Sequence, residues 1–217
     1  MKNDPIRASI LSVKVISNVD PGMSENLGLK PHQKCIGLIT TDLDDASYTA
    51  LDEATKKADV EVVYARSFYG GAVNANTKFA GEFIGVIAGP DPAEVKSGIN
   101  AFQEFLGTDA CFFSANEDDS ICYFAYTISR SGTYLSKVAN IPEGEPIAYL
   151  IAPPIEAMYG MDAALKAADV RIVAFYGPPT ETNFGGGLLT GSQSACKAAC
   201  DAFKNAVIYV AENPVEY

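Results

Sequence analysis

The sequence predicts an α+β protein built from two similar units in tandem, and three observations favour this fold class. The first is an internal repeat, because residues 52–63 and 162–173 are identical at seven of twelve positions at an offset of 110. The second is the order of elements, since short apolar strands alternate with helical segments in both halves. The third is length, because half of the 217 residues is a usual domain size. These observations predict two domains, residues 1–107 and 108–217.

The elements of the first copy follow from local patterns. Alternating or clustered apolar residues predict strands at 10–16, 36–40, 60–64 and 82–88. A helix is predicted from Asp44 to about Ala58, and a polar, glycine-containing loop from Ser67 to Lys78. A second helix begins at Asp91-Pro92, which supplies an acidic cap and Pro at the first helical position. Its apolar stripe has helical spacing and consists of Val95, Ile99, Phe102 and Leu106.

The second copy repeats this plan, with strands predicted at 121–128, 147–152 and 170–176 and helices near 155–168 and 193–211. It lacks nine residues before its last helix, where the offset falls from 110 to 101. At that offset Cys196 and Cys200 replace Val95 and Ile99, which predicts that both thiols pack in the core instead of binding a metal. Each unit is therefore expected to be a sheet with helices on one face.

Composition excludes several function classes. A formal net charge of −11 argues against nucleic acid and against anionic membrane surfaces as partners. No signal peptide or membrane-spanning run is recognisable, and five cysteines without a metal-type pair favour reduced thiols in the cytosol. His32, the one histidine, lies in a predicted surface loop without a recognisable nucleophile, so no catalytic site and no metal site are expected.

Two further features leave alternatives open. The glycine run 185–187 is typical of a loop, which is either a flexible gate or an ordinary turn. Lys56 and Lys166 occupy matching positions near helix ends, where the helix dipole alone favours lysine.

An acidic group belongs to the first copy only. Asp44 and Asp45 are matched by Pro154 and Ile155, and Glu82 has Ser192 at the same offset of 110. One interpretation is a helix cap plus a solvated carboxylate. The other is a small acidic site for an ammonium group, since two carboxylates near one cation form charge-assisted hydrogen bonds.

The chain resembles the ethanolamine-utilisation shell proteins of bacterial microcompartments, the tandem-domain type, over nearly its whole length. The runs that carry the resemblance are Ile36-Gly-Leu-Ile with Asp44-Asp45, Asp52-Glu-Ala-Thr-Lys, Val60-Glu-Val-Val-Tyr, Gly89-Pro-Asp-Pro-Ala-Glu-Val, Ser129-Arg-Ser-Gly-Thr-Tyr-Leu-Ser, Ala148-Tyr-Leu-Ile-Ala-Pro-Pro and Leu189-Thr-Gly-Ser-Gln-Ser-Ala-Cys-Lys-Ala-Ala-Cys. The resemblance implies a non-enzymatic protein with two circularly permuted shell domains, each a small, mainly antiparallel sheet with packed helices. It also implies a homotrimeric pseudohexamer in a cytoplasmic microcompartment shell, beside other shell proteins, with Lys56 and Lys166 at the lattice edges.

The resemblance further implies a gated central pore and small pores that bind ethanolamine. The matching pore-loop positions are Phe68, Tyr69, Gly70, Gly71, Asn183, Phe184, Gly185 and Gly186. The matching ethanolamine positions are Asp44, Asp45, Glu82 and Phe112, with Phe112 offering a ring face or its carbonyl. No cofactor is required; companion enzymes of that system use cobalamin, but no residue here argues for binding it. The alternative functions are a soluble amine-binding regulatory module and, least supported, an enzyme acting on amines.

Overall fold

The computed structural model describes residues 1–68 and 82–215. Two compact units divide the chain. The first, called the N-unit here, is Arg7–Ala110 together with Gly132–Leu135. The second, the C-unit, is Met1–Ile6, Cys111–Ser131 and Ser136–Tyr217. Each unit therefore takes a short segment from the other half of the sequence.

The N-unit is a four-stranded antiparallel sheet with helices. Its strands are β2 (Ile10–Ser17), β3 (Cys35–Thr41), β4 (Glu61–Phe68) and β5 (Glu82–Gly89), in the order β2-β3-β5-β4. Its helices are α1 (Pro21–Asn26), α2 (Asp44–Lys57) and α3 (Pro92–Thr108). α3 packs on β3 so closely that a Cβ at Gly37 would lie 2.9 Å from the Val95 and Ile99 side chains. The opposite face buries Ile36 and Ala88 against Leu27 and Leu29, which lie in the connection that follows α1.

The C-unit contains a six-stranded sheet. Its strands are β1 (Pro5–Ile6), β6 (Phe112–Ser114), β7 (Cys122–Ile128), β8 (Ile147–Ala152), β9 (Val170–Tyr176) and β10 (Gly185–Gly191), in the order β1-β6-β7-β8-β10-β9. Its helices are α5 (Pro154–Ala167), α6 (Gln193–Glu212) and most of α4 (Thr133–Ala139). The paired strands are antiparallel, and the sheet shares one apolar core with α5 and α6. The α+β prediction with antiparallel sheets is thus confirmed.

The two long final helices begin as their sequences predict. The Asp91 carboxylate accepts hydrogen bonds from the Ala93 and Glu94 amides at 2.7 and 3.0 Å, which caps α3. Ser192 caps α6 through the Ala195 amide at 3.1 Å. The stripe Val95, Ile99, Phe102 and Leu106 is buried on α3, and Cys196, Cys200 and Phe203 are buried on α6. The prediction that these two thiols belong to the core is confirmed.

The prediction that the glycine run is a loop was wrong. Gly185, Gly186 and Gly187 begin β10 and pair with Ala152, Ile151 and Leu150 of β8. A Cβ at Gly186 would lie 1.9 Å from the Leu150 carbonyl oxygen, and one at Gly187 would lie 2.3 Å from that of Ala174. The glycines are therefore needed for close strand approach, a role that glycine has inside strands as well as in loops.

Candidate ligand-binding and pore residues

The first turn of α2 carries the acidic pair. Leu43 precedes the helix in an extended conformation and forms no side-chain cap, so Asp44 and Asp45 are the first helical residues. The Thr41 and Ser47 hydroxyls donate to the Leu43 carbonyl at 3.0 and 2.6 Å, which fixes the chain entering the helix. Carboxylates at a helix N-terminus interact favourably with its dipole.

Both carboxylates are buried. Asp44 is 5% exposed and Asp45 is 6% exposed. Burial raises the pKa of Asp44 above its ordinary value, because the charged form loses hydration. Hydrogen bonds from the Ser67 side chain and the Asp45 amide, the latter at 2.9 Å, act in the opposite direction. The interpretation of a solvated carboxylate does not fit this environment.

Glu82 lies at the same end of the N-unit. It begins β5 opposite Phe68, the last residue of β4, while Ser67 pairs with Phe83. Glu82 is therefore one register position from the serine that hydrogen-bonds Asp44, and it is 6% exposed. The fold gathers the Asp44, Asp45 and Glu82 carboxylates where α2 starts and β4 meets β5.

Phe112 belongs to the C-unit, in β6. It is 1% exposed, and its ring centroid lies 5.2 Å from that of Phe124 and 6.3 Å from that of Phe184. The ring is part of the aromatic core of this unit.

Apart from Gly185 and Gly186, which begin β10, the predicted pore residues fall into three groups. Phe68 ends β4 and is 42% exposed. Tyr69, Gly70 and Gly71 lie outside the described residues. Asn183 and Phe184 form the turn before β10, where the Thr180 amide donates to the Phe184 carbonyl at 2.9 Å and Asn183 has a positive φ of 65°. The same turn holds Phe184 against Phe112, so two predicted site residues meet there.

The matching lysines have different surroundings. The Lys56 side chain is 23% exposed and pairs with Glu53 at 2.5 Å and with Asp52 at 3.8 Å. Lys166 is 75% exposed and pairs with Asp162 at 2.6 Å, a hydrogen bond that raises its pKa.

The remaining candidates are structural. His32 is exposed in the connection between α1 and β3. All five cysteines are buried and none forms a disulfide. Within residues 1–68 and 82–215, no group of three or more His, Cys, Asp or Glu side chains is arranged to hold a metal ion. Among the helices of that part of the chain, none combines the length and apolarity that crossing a membrane would require.

Asp52 is the residue that sequence reasoning missed. It is fully buried on α2 and accepts hydrogen bonds from the Gly132 and Leu135 amides at 2.7 and 2.8 Å. Burial raises its pKa, while these amides and Lys56 act in the opposite direction. A Cβ at Gly132 would lie 2.7 Å from the Asp52 carbonyl oxygen. The sequence signal for this contact was Gly132. The two copies align here at an offset of 112, and the first copy has Asp20 at the equivalent position.

Comparison with known proteins decides the family. The family model of the BMC domain matches residues 35–115. The chain is 66% identical, over 217 residues and 100% of both proteins, to the bacterial microcompartment shell protein EutL of Clostridium perfringens (strain 13 / Type A). This chain belongs to the EutL family of bacterial microcompartment shell proteins. The EutL of Salmonella typhimurium (strain LT2) is 49% identical over 213 residues, 98% of this chain and 97% of the relative.

A solved structure supports the EutL fold directly. The crystal structure of the ethanolamine utilization protein EutL from Leptotrichia buccalis C-1013-b superposes with a TM-score of 0.96 at 67% identity, covering 100% of both chains. The chain is thus a structural component of a microcompartment shell and not an enzyme. This confirms the prediction of a tandem-domain shell protein and sets aside the amine-binding regulator and the amine-converting enzyme.

Proposed function

We propose that this EutL-family protein forms a trimeric, pseudohexameric shell tile that binds ethanolamine at an acidic site and passes small molecules through a gated central pore. The observation that carries the ligand proposal is the burial of Asp44, Asp45 and Glu82 at one end of the N-unit. Buried carboxylates are costly unless a cation, a proton or hydrogen bonds compensate their charge. A small ammonium compound such as ethanolamine supplies both the cation and the hydrogen-bond donors.

Phe112 enters this proposal through the family resemblance. Its ring is 1% exposed and engaged with Phe124 and Phe184, so its backbone carbonyl is the better candidate for contact with the amine. The proposal therefore assigns recognition of the positive charge to the carboxylates, with Phe112 in a secondary part.

Calorimetry of purified protein titrated with ethanolamine tests the ligand proposal. Asp45→Ala is expected to abolish binding, because it removes one of the paired carboxylates, and to leave the trimer intact. Glu143→Ala is the matched control, since it removes one exposed negative charge from a loop. Unchanged affinity in Asp45→Ala would contradict the acidic site.

The proposed tile follows from the two similar copies in one chain. Three chains would provide six similar domains around one axis, as closed cyclic symmetry allows. Lys56 and Lys166 would then lie at edges that meet neighbouring tiles. Electron microscopy should show perforated rings and extended sheets, and a sample that stays monomeric at high concentration would contradict the tile.

The proposed gate uses residues at the ends of strands. Phe68 is exposed where β4 ends, and Asn183 and Phe184 form a short turn with one positive φ. Gly185 and Gly186 are buried in β10 and would act as the fixed base of that turn.

Ethanolamine can shift such a gate only as far as it binds two states unequally. Images of sheets with and without ethanolamine should differ in the opening at the tile axis, and identical images would remove this coupling.

A further inference from the structure

The two copies of the repeat differ in how one helix face is covered. α2 and α5 match at an offset of 110, so Tyr48, Thr49 and Asp52 correspond to Met158, Tyr159 and Asp162. Thr49 and Asp52 are buried and Tyr48 is half-buried, whereas all three residues of α5 are exposed. Further along the helices the pairs agree, since residues 53 and 163 are both half-buried and 57 and 167 are both exposed. The largest differences therefore lie on one face, that of Tyr48, Thr49 and Asp52.

In the N-unit the face is covered by the segment 132–135. The Gly132 and Leu135 amides donate to Asp52, and the Thr133 amide donates to the Thr55 hydroxyl at 3.2 Å. The Tyr134 ring stacks on Tyr48 with centroids 6.2 Å apart, and Leu135 is 2% exposed. This segment belongs to the second copy in sequence but packs on a helix of the first.

The equivalent segment of the first copy is 20–23, at an offset of 112. The correspondence is supported by matching backbone bonds: Leu29 donates to the Ser24 carbonyl at 2.9 Å, and Ile141 donates to that of Ser136 at 3.0 Å. Met23 takes the place of Leu135 but is 40% exposed. Met23 is thus an apolar side chain of this segment that remains exposed to solvent.

The open face of α5, defined as Ile155, Met158, Tyr159 and Asp162, is correspondingly apolar. Ile155 is 70% exposed, Met158 is 50% exposed and Tyr159 is 51% exposed. A contiguous patch of exposed apolar side chains marks an interaction site, whereas single exposed apolar residues are normal on a protein surface. Within the chain, the face of α2 and the segment 132–135 form one contact. The open face of α5 and the segment 20–23 are the equivalent two surfaces, and both are exposed.

We propose that the open face of α5 in one chain is covered by the segment 20–23 of a second copy of the same chain, with Met23 packing where Leu135 packs on α2. The proposal rests on the proposed trimeric tile and deepens it, because it names the surface that holds the chains together. Such a contact is head-to-tail, and each chain carries one of each half, so three chains can close into a ring.

Charge substitutions on the open face test this contact. Ile155→Glu and Met158→Glu are expected to weaken assembly at least tenfold, measured as mass by sedimentation or light scattering across protein concentration. Val138→Glu is the matched control: Val138 is 42% exposed on a helix, and the first copy already has polar Asn26 at that position. Far-ultraviolet circular dichroism and cooperative urea unfolding would show that each variant is folded.

Crosslinking provides a second measurement that does not depend on loss of assembly. In the double variant Met23→Cys with Asp162→Cys, the two positions correspond to Leu135 and Asp52, whose amide and carboxylate are 2.8 Å apart within one chain. A short bismaleimide should link chains into dimers and trimers. Either single variant, and the parent protein with its five buried cysteines, should give none.

The outcomes separate the contact from the tile. If the parent protein forms trimers but both glutamate variants assemble normally and the double-cysteine variant does not crosslink, the α5 contact is wrong and the tile stands. If the parent protein is monomeric, the proposed tile itself fails.

Discussion

At the scale of single residues, the acidic site shows how burial and helix position oppose each other. Asp44 gains from the dipole of α2 and from hydrogen bonds to Ser67 and the Asp45 amide, yet loss of hydration raises its pKa overall. The carboxyl group therefore prefers its neutral form more strongly in the folded protein than in the unfolded chain. A bound ammonium group would reverse that preference, which is the physical link between burial and ligand binding.

This preference predicts how Asp44 contributes to stability against pH. The unfolded chain releases the Asp44 proton near the ordinary value of 3.8, while the folded protein holds it to higher pH. The free energy of unfolding of the parent protein, relative to Asp44→Asn, should therefore fall as pH rises through 3.8 and level off above the raised folded pKa. Urea unfolding of both proteins between pH 3 and 7 without ethanolamine measures it.

A control and a contradicting result follow from the same experiment. Glu143→Gln is the matched control, because it replaces one exposed carboxylate with its amide. The contradicting result concerns the free energy of unfolding of the parent protein minus that of Asp44→Asn. If this difference rises with pH, the surroundings stabilise the charged form of Asp44, and its pKa is not raised by burial.

At the scale of elements, the parts that could be predicted are those specified by near neighbours in sequence. α3 was predictable because Asp91, Pro92 and the stripe from Val95 to Leu106 are a local cap and a local period. The start of α2 was also predictable locally, because Asp44 and Asp45 are acidic residues of the kind that favour a first helical turn. β10 was not predictable, because its glycines are required by close contact with backbone atoms of β8 and β9. These strands are distant in sequence, so no local pattern shows that contact.

The site was predictable in its residue types but not in its assembly. Asp44 and Asp45 are adjacent in sequence, whereas the position of Glu82 depends on the register that pairs it with Phe68. The bond from Gly132 to Asp52 spans 80 residues and has no local signal beyond a glycine. Pairing register and long-range backbone contacts are set by tertiary packing, which a single sequence shows only through its repeat.

The strand role of the glycine run gives a test at the element scale. Gly186→Ala should lower the free energy of unfolding by about 2–4 kcal/mol, because Gly186 has a φ of +140° and a Cβ there would lie 1.9 Å from a carbonyl oxygen. Gly107→Ala is the matched control: nothing lies within 4 Å of its Cβ position, and alanine in a helix should raise stability by about 0.5–1 kcal/mol. Urea unfolding measures both. Equal effects of the two substitutions would show that β10 does not need glycine.

At the scale of the whole molecule, net charge acts on any cation that approaches. Each chain has a formal charge of −11, and three chains in one tile would add their fields. In the proposed site the buried carboxylates would fix where an ammonium group is held, while the surface charge would change its local concentration. These two contributions respond differently to salt, because only exposed charges are strongly screened.

Salt should therefore separate the surface charge from the site. Raising ionic strength from about 0.02 M to about 0.5 M should weaken ethanolamine binding by roughly three- to tenfold, since the Debye length falls to a few ångströms over that range. The loss should be the same in NaCl and KCl at equal ionic strength, because screening does not depend on which cation is present. Calorimetry in both salts measures it. A loss that differs between the two cations would indicate direct competition at Asp44, Asp45 and Glu82, and no loss would show that the net charge does not assist binding.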